Sequence, residues 1–229
     1  MSTYVLVHGS YQGGWIWKPV AERLEHAGHQ VYRPTLDGSA ERRRNSAAGL
    51  TLEQHGAELA DLLFYEDLQA VVLVGTSIGG MVVAQSAPSV HDRIRRLVFI
   101  DALVPLPGES VPIVNSRPPH DRRNGVYGPP PEQARTTIFG DIAGEVGDWA
   151  AARYTQQAIG PTDDPVDLRD FWARRWQVDV LRCTRSPLPP EAHQRRTAER
   201  LHGSYAEIDA GHYPMLSHPE EIANYLLAR

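Results

Sequence analysis

The chain has 229 residues, 41% of them hydrophobic, and a formal net charge of −5 at pH 7, enough to bury one sizeable core and the wrong sign to attract nucleic acid or an anionic membrane. Cys183 is the only cysteine and Lys18 the only lysine, so an internal disulfide and a cysteine-rich metal site are excluded, and Schiff-base chemistry would rest on one surface side chain. No apolar run reaches membrane-spanning length and no leader pattern precedes "TYVLVHG", so one compact cytoplasmic domain over residues 1–229 is expected.

Short apolar, β-branched runs alternate with longer segments of helical period, the pattern of a parallel sheet covered on both faces. The first strand is "YVLVHG" (4–9), followed by a helix over 16–27 and a second strand, "QVYRPT" (30–35). His8 and Gly9 make a strand-end turn that aims the backbone N–H of Ser10 forward. His8 itself is either a polar group of a pocket or a buried histidine tying down its own loop. Gly13 and Gly14 lack the G-x-G-x-x-G spacing of a dinucleotide site. The Arg42 to Arg44 cluster reads as a solvated loop before a helix over 51–66.

The third strand, "AVVLVGT" (70–76), runs into Gly75-Thr76-Ser77-Ile78-Gly79 and then a helix over 78–88. This is G-x-S-x-G between a strand and a helix, the context in which the motif presents a nucleophile. The glycines permit a turn too tight for side chains, and the strained backbone holds Ser77 above the sheet. The helix behind it adds a positive dipole end, and the N–H of Ile78 faces an oxyanion, with Ser10 as the second donor.

The fourth strand is "RLVFIDA" (96–102), with Asp101 at its C-terminal end. From 103 to 177 the chain turns rich in Pro, Gly and Arg, and its length marks it as functional or disordered. Its aromatics, Tyr127, Phe139, Trp149, Tyr154, Phe171 and Trp172, favour an ordered cap over the strand ends, with Tyr127 and Trp149 facing a substrate alongside Gly9, Tyr11 and Tyr213. Any one of them can instead fill a partial core under the insertion. The sheet resumes with "VDVLRCT" (178–184), a helix over 190–201 and "SYAEID" (204–209), and ends with a helix over 218–228. "IDAGHYPMLSHPEE" places His212 between the last strand and the last helix, which none of the other histidines matches, and makes it the candidate general base. His218 belongs to the start of that helix, with Pro219 in its first turn.

The stretches "YVLVHGSYQGGWIWKPVAERLEHAGHQVYRPTLDG", "VVLVGTSIGGMVV", "FIDALVP", "RCTRSPLPPEAHQ" and "EIDAGHYPMLSHPEEIA" resemble the α/β-hydrolase superfamily, specifically its plant methylesterase and hydroxynitrile lyase branch with bacterial esterase relatives. The resemblance runs from Tyr4 to the C-terminus and weakens in the cap. It implies six mainly parallel strands with helices on both faces, a cap inserted between about residues 103 and 177, a small-molecule substrate and no cofactor or metal.

Relatives carry the triad acid just after the fifth strand, in a pattern like C-T-x-D-x-x-x-P. Here the segment reads Cys183-Thr184-Arg185-Ser186-Pro187, so a serine stands at the acid's position. Two groups remain as orienters of His212: Asp101, at a strand end where some superfamily members carry their acid, and the Ser186 hydroxyl. Asp179 starts its strand at the wrong end of the sheet, Asp209 reads as a turn residue, and Glu191 opens a helix. The lyases of the branch carry a threonine where this chain has Gly9 and a lysine where it has Tyr213. A serine esterase acting on a small carboxylic ester, thioester or lactone is therefore expected. A lyase, decarboxylase or cyclase using His212 as base, and a ligand-binding homologue without turnover, stand as alternatives.

Overall fold

Strands that are apolar on both faces need helices on both faces, and the chain supplies them in alternation. The computed structural model describes residues 1–44 and 49–229. It runs β1 (Thr3–Val7), α1 (Lys18–His26), β2 (Gln30–Tyr32), α2 (Leu52–Tyr65), β3 (Val71–Ser77), α3 (Gly79–Ser86) and β4 (Ile94–Ala102). Then come α4 (Val111–Val114), β5 (Val126–Tyr127), α5 (Ala134–Thr137), α6 (Gly144–Ala151), β6 (Gln157–Ala158), α7 (Gly160–Asp163) and α8 (Arg169–Trp172). The last part is β7 (Val178–Cys183), α9 (Glu191–Arg200), β8 (Ser204–Ile208), α10 (Pro214–Ser217) and α11 (Pro219–Leu227).

Six strands form one sheet in the order β2-β1-β3-β4-β7-β8, with every neighbouring pair parallel. The period of two sends alternate residues to opposite faces. Val5, Val7, Leu73, Leu97 and Phe99 meet Leu59 and Leu63 of α2 and Ala198 of α9 on one side. Leu6, Val72, Val74, Val98 and Ile100 meet Val20 and Leu24 of α1 and Ile222 and Leu226 of α11 on the other. The expected strands and helices are all present, with shifted ends. β1 stops at Val7, where His8 and Gly9 leave the ladder, and β2 stops at Tyr32, two residues before Pro34, which has no N–H to pair. α3 gives way at Ala87-Pro88 to a 3-10 stretch, Ala87–Arg93. α2 starts on a capping box between Thr51 and Gln54. Arg42 is not a freely solvated residue: it pairs with Asp37 and Glu58.

Between β4 and β7 the elements are short. Apart from the eight-residue α6, its α-helices have four residues each, and β5 and β6 pair antiparallel over two. Proline-rich sequence does not sustain longer ones. The segment is nonetheless anchored on both sides of the sheet. Phe139, Ile142, Ala150 and Tyr154 join one core with Trp17 and Leu216, and Val166, Leu168 and Phe171 join the other. No helix among the described residues is long and apolar enough to cross a membrane.

Candidate active site

Ser77 closes β3 with φ at +52°, a left-handed conformation that costs a non-glycine residue about 1–3 kcal/mol and persists only where the surroundings enforce it. They do so here because all seven residues of β3 are buried. A side chain at Gly75 would put its Cβ 2.7 Å from the carbonyl oxygen of Gly79, and one at Gly79 would come within 2.6 Å of that of His8. The turn thus closes only with glycine on either side of the serine. Gly9 backs the serine from the neighbouring loop: a Cβ there would lie 2.6 Å from the Cβ of Ser77. Gly9, expected to line the pocket, packs against Ser77 and is not among the residues that line the cavity.

Asp101 is placed by a fault in the sheet. Thr76 pairs with Ile100, but Ser77 pairs with Ala102, so Asp101 is an extra residue on β4, at φ +45°. Such a bulge re-aims its side chain. The Leu103 N–H donates to the Ser77 carbonyl at 2.9 Å and closes the ladder beyond the bulge. The turned carboxylate is fully buried. Nδ1 of His212 donates to its Oδ2 at 2.6 Å, and Oδ1 accepts from Gln194 Nε2 at 2.8 Å and from the Cys183 N–H at 3.3 Å. These donors offset the removal of the charge from water. An ionised carboxylate only accepts, so the Nδ1 proton is assigned and Nε2 is the basic nitrogen. Burial and the neighbouring Asp101 charge both push the Cys183 thiol up, which leaves it protonated and inert.

Ser186 also lies near the histidine, with Oγ 3.4 Å from Nδ1, but its own proton goes to the Leu188 carbonyl at 2.7 Å. The Asp101 contact is much the shorter. The other carboxylates weighed from the sequence lie elsewhere. Asp209 is exposed and pairs with Arg185 at 3.2 Å, Asp179 pairs with Arg96 at the start of β7, and Glu191 opens α9 and holds Arg195 at 2.6 Å.

Ser77 and His212 line one cavity of about 760 Å³, together with Ser10, Ile78, Tyr11, Tyr213 and Ser186 from the core. Val111, Asn115, Arg117, His120, Tyr127 and Asp141 line it from the segment between β4 and β7. Tyr127 alone of the cap aromatics faces the cavity. Its hydroxyl lies 3.2 Å from Ser10 Oγ, and its ring stacks on His120 at 3.7 Å. Burial holds the Tyr127 phenol up and lowers the His120 imidazole, which keeps both neutral near pH 7. Burial also acts to raise the Asp163 carboxyl, but the backbone N–H and ring of His120 and the Arg117 guanidinium outweigh it and hold it below the ordinary carboxylate range. Asp163 thereby ties His120 and Arg117 to α7.

Trp149 does not line the cavity. Its ring packs edge-on against Trp15 at 5.2 Å, with the Arg153 guanidinium 4.3 Å over its face, because that side of α6 turns to the apolar core. His8 is the loop anchor of the two roles considered: Nδ1–H donates to the Gly9 carbonyl at 2.8 Å, and Nε2 accepts from the Leu36 N–H at 3.0 Å. Gln194, Arg117, His120 and Asp163 were not singled out from the sequence. Glutamine in an amphipathic helix and charges in a proline-rich loop carry no local signal of function.

A family model described as the alpha/beta hydrolase family matches residues 4–225. A carbendazim-hydrolysing esterase from Nocardioides sp. (strain SG-4G) is 30% identical over 245 residues, covering 100% of this chain and 99% of that protein. Salicylic acid-binding protein 2 of Nicotiana tabacum is 33% identical over 148 residues, covering 60% of this chain and 56% of its own. Among solved structures, an extracellular alpha/beta-hydrolase from a Paenibacillus species shares the fold with a TM-score of 0.84 at 23% identity, covering 100% of this chain and 98% of that one. The chain therefore belongs to the alpha/beta hydrolase family and, with esterases among its relatives, is an esterase-type hydrolase.

Proposed function

We propose that this member of the alpha/beta hydrolase family cleaves a small carboxylic ester, thioester or lactone through an acyl-enzyme on Ser77, with His212 as general base and Asp101 as the acid that orients it. The observation that carries this reading is the 2.6 Å contact from His212 Nδ1 to a buried Asp101 carboxylate, on the cavity that Ser77 also lines. With Nδ1–H committed, Nε2 takes the Ser77 proton as Oγ attacks the carbonyl carbon. The backbone N–H groups of Ser10 and Ile78 receive the oxyanion. The imidazolium then returns its proton to the leaving alcohol or thiol, and the bond to it breaks. Water, deprotonated by His212, attacks the acyl carbon, and collapse returns the proton to Ser77 and releases the acid. Asp101 stabilises the imidazolium in both halves.

Tyr11, Tyr127, Tyr213 and apolar Leu103, Val111 and Ile138 around the cavity support an apolar or aromatic portion in the substrate. The esterase matched end to end, named for hydrolysing carbendazim, supports ester cleavage. Two features count against cyanohydrin cleavage. Gly9 leaves no room for the threonine of the lyases, and Tyr213, buried at 6% exposure, replaces their lysine.

The test is labelling with a fluorophosphonate and turnover of short p-nitrophenyl esters. We expect both in the native chain and neither in Ser77→Ala. Labelling without turnover overturns the esterase reading in favour of a lyase, decarboxylase or cyclase using His212 as base, or of a ligand-binding homologue.

A further inference from the structure

The segment that lacks the family's carboxylate ends in a residue that touches the replacement. Gln194, the fourth residue of α9, is 1% exposed, and its Nε2 donates to Asp101 Oδ1 at 2.8 Å and to the Pro189 carbonyl at 3.1 Å. Both partners are acceptors, so the amide has one acceptable orientation: reversed, its oxygen would face two oxygens. In that orientation Oε1 is buried without a hydrogen-bond partner. An orphaned buried carbonyl destabilises the fold, and a methionine of the same length would fill the space without one. What the glutamine adds over an apolar side chain of its length is the Nε2 donor, and one of the two acceptors it meets is Asp101.

Asp101 needs a lateral anchor. It stands outside the strand pairing, at positive φ, so the ladder does not fix its side chain as it fixes its neighbours. Of the two donors on Oδ1, the Cys183 N–H is the longer at 3.3 Å and Gln194 the shorter. We infer that Gln194 is a positioning residue for the reaction: by holding Oδ1 it stops the Asp101 carboxylate from turning and keeps Oδ2 on Nδ1 of His212. The inference rests on the proposed Ser77, His212 and Asp101 assembly. It also explains how the segment after β7 retains a part in the site without its own acid. It now contributes the group that steadies the acid on the neighbouring strand.

A double-mutant cycle on p-nitrophenyl acetate tests it, using the full chain with Gln194→Met, Asp101→Asn and the pair. Gln194→Met is expected to lower kcat about 10- to 100-fold with KM held within about twofold, since a small misplacement of an orienting group costs rate rather than binding. In the Asp101→Asn background the same change is expected to alter kcat by less than about twofold, because its target is gone. Full activity in Gln194→Met, or a loss that persists undiminished beside Asp101→Asn, overturns the inference and leaves the triad standing. Turnover that survives Asp101→Asn intact overturns the triad reading and the inference with it.

Should Gln194→Met fail to fold, Gln194→Glu keeps the shape. The ionisable groups it faces are Asp101 and, through it, His212, while the Cys183 thiol is held protonated by burial. A neutral glutamic acid donates to Asp101 and an ionised one repels it. Activity relative to the native chain is then expected to fall more than about tenfold between about pH 6 and 9. A ratio flat across that range overturns the inference.

Discussion

The strand ends of the sheet and the segment that covers them supply the cavity in different ways. Ser77 and Asp101 are backbone exceptions inside the most buried part of the molecule, each at positive φ, the first enforced by a glycine-bordered turn and the second by a bulge between paired residues. Opposite them, Arg117 and His120 lie in the irregular chain after α4 and Tyr127 on the two-residue β5, joined by side-chain contacts to Asp163 and to one another. Rigid placement belongs where charge develops in the transition state, and adjustable contacts belong where a substrate is sorted. On the proposed function, the difference puts rate in the sheet and preference in the cap.

The largest effect should come from the sheet side. Asp101→Asn is expected to lower kcat by about 10⁴-fold, the cost of neutralising a triad acid elsewhere, whereas Ser186→Ala should change it by no more than about threefold. Steady-state kinetics of the two variants side by side decide between the groups, and a reversed ranking would break the comparison at its root. Gly79→Ala forces a Cβ within 2.6 to 2.7 Å of two backbone carbonyl oxygens, and urea unfolding should record a loss of about 3 kcal/mol.

Acid should loosen the same region. Burial takes the His8 imidazole down to about 4 from an ordinary value near 6.5. Between those values the unfolded chain binds a proton that the folded chain does not, so stability falls as pH drops from about 6.5 to about 4 and is unaffected by His8 above that window. The contribution is at most about 3 kcal/mol, read from thermal melts of the native chain and His8→Gln across that window. The smallest effect belongs to the cap. Tyr127→Phe removes the hydroxyl beside Ser10 and should raise KM about 2- to 10-fold with little change in kcat. A loss of kcat approaching 100-fold would move Tyr127 from substrate sorting into the rate-setting machinery.

The amino-acid sequence carried the parts of this molecule that depend on local pattern. The six strands are legible as apolar runs, Ser77 from glycine spacing between a strand and a helix, and His212 from its place after the last strand. Ser186 was legible as a substitution, and its consequence was narrowed to two candidates. The Asp101 contact with His212 goes with one extra residue on β4, and register is a relation between two strands that neither encodes alone. Gln194 was invisible for a similar reason, since its importance lies in an atom 93 positions away. In the cap, Tyr127 and Trp149 look alike as sequence. Only tertiary packing sends one to the cavity and the other to Trp15.

The bulge at Asp101 has a consequence for how this chain tolerates change. With Asp101 on a buried strand beside Ser77, the loop from Arg185 to Pro189 lines the cavity without supplying the carboxylate that Nδ1 of His212 meets. Substitutions at positions 185–188 can reshape one wall of the pocket while Asp101 and the Pro189 carbonyl that Gln194 holds stay in place. In relatives whose acid occupies that loop, the same edits would risk the acid itself. Diversifying residues 185–188 at constant length is thus expected to alter substrate choice at little cost in turnover.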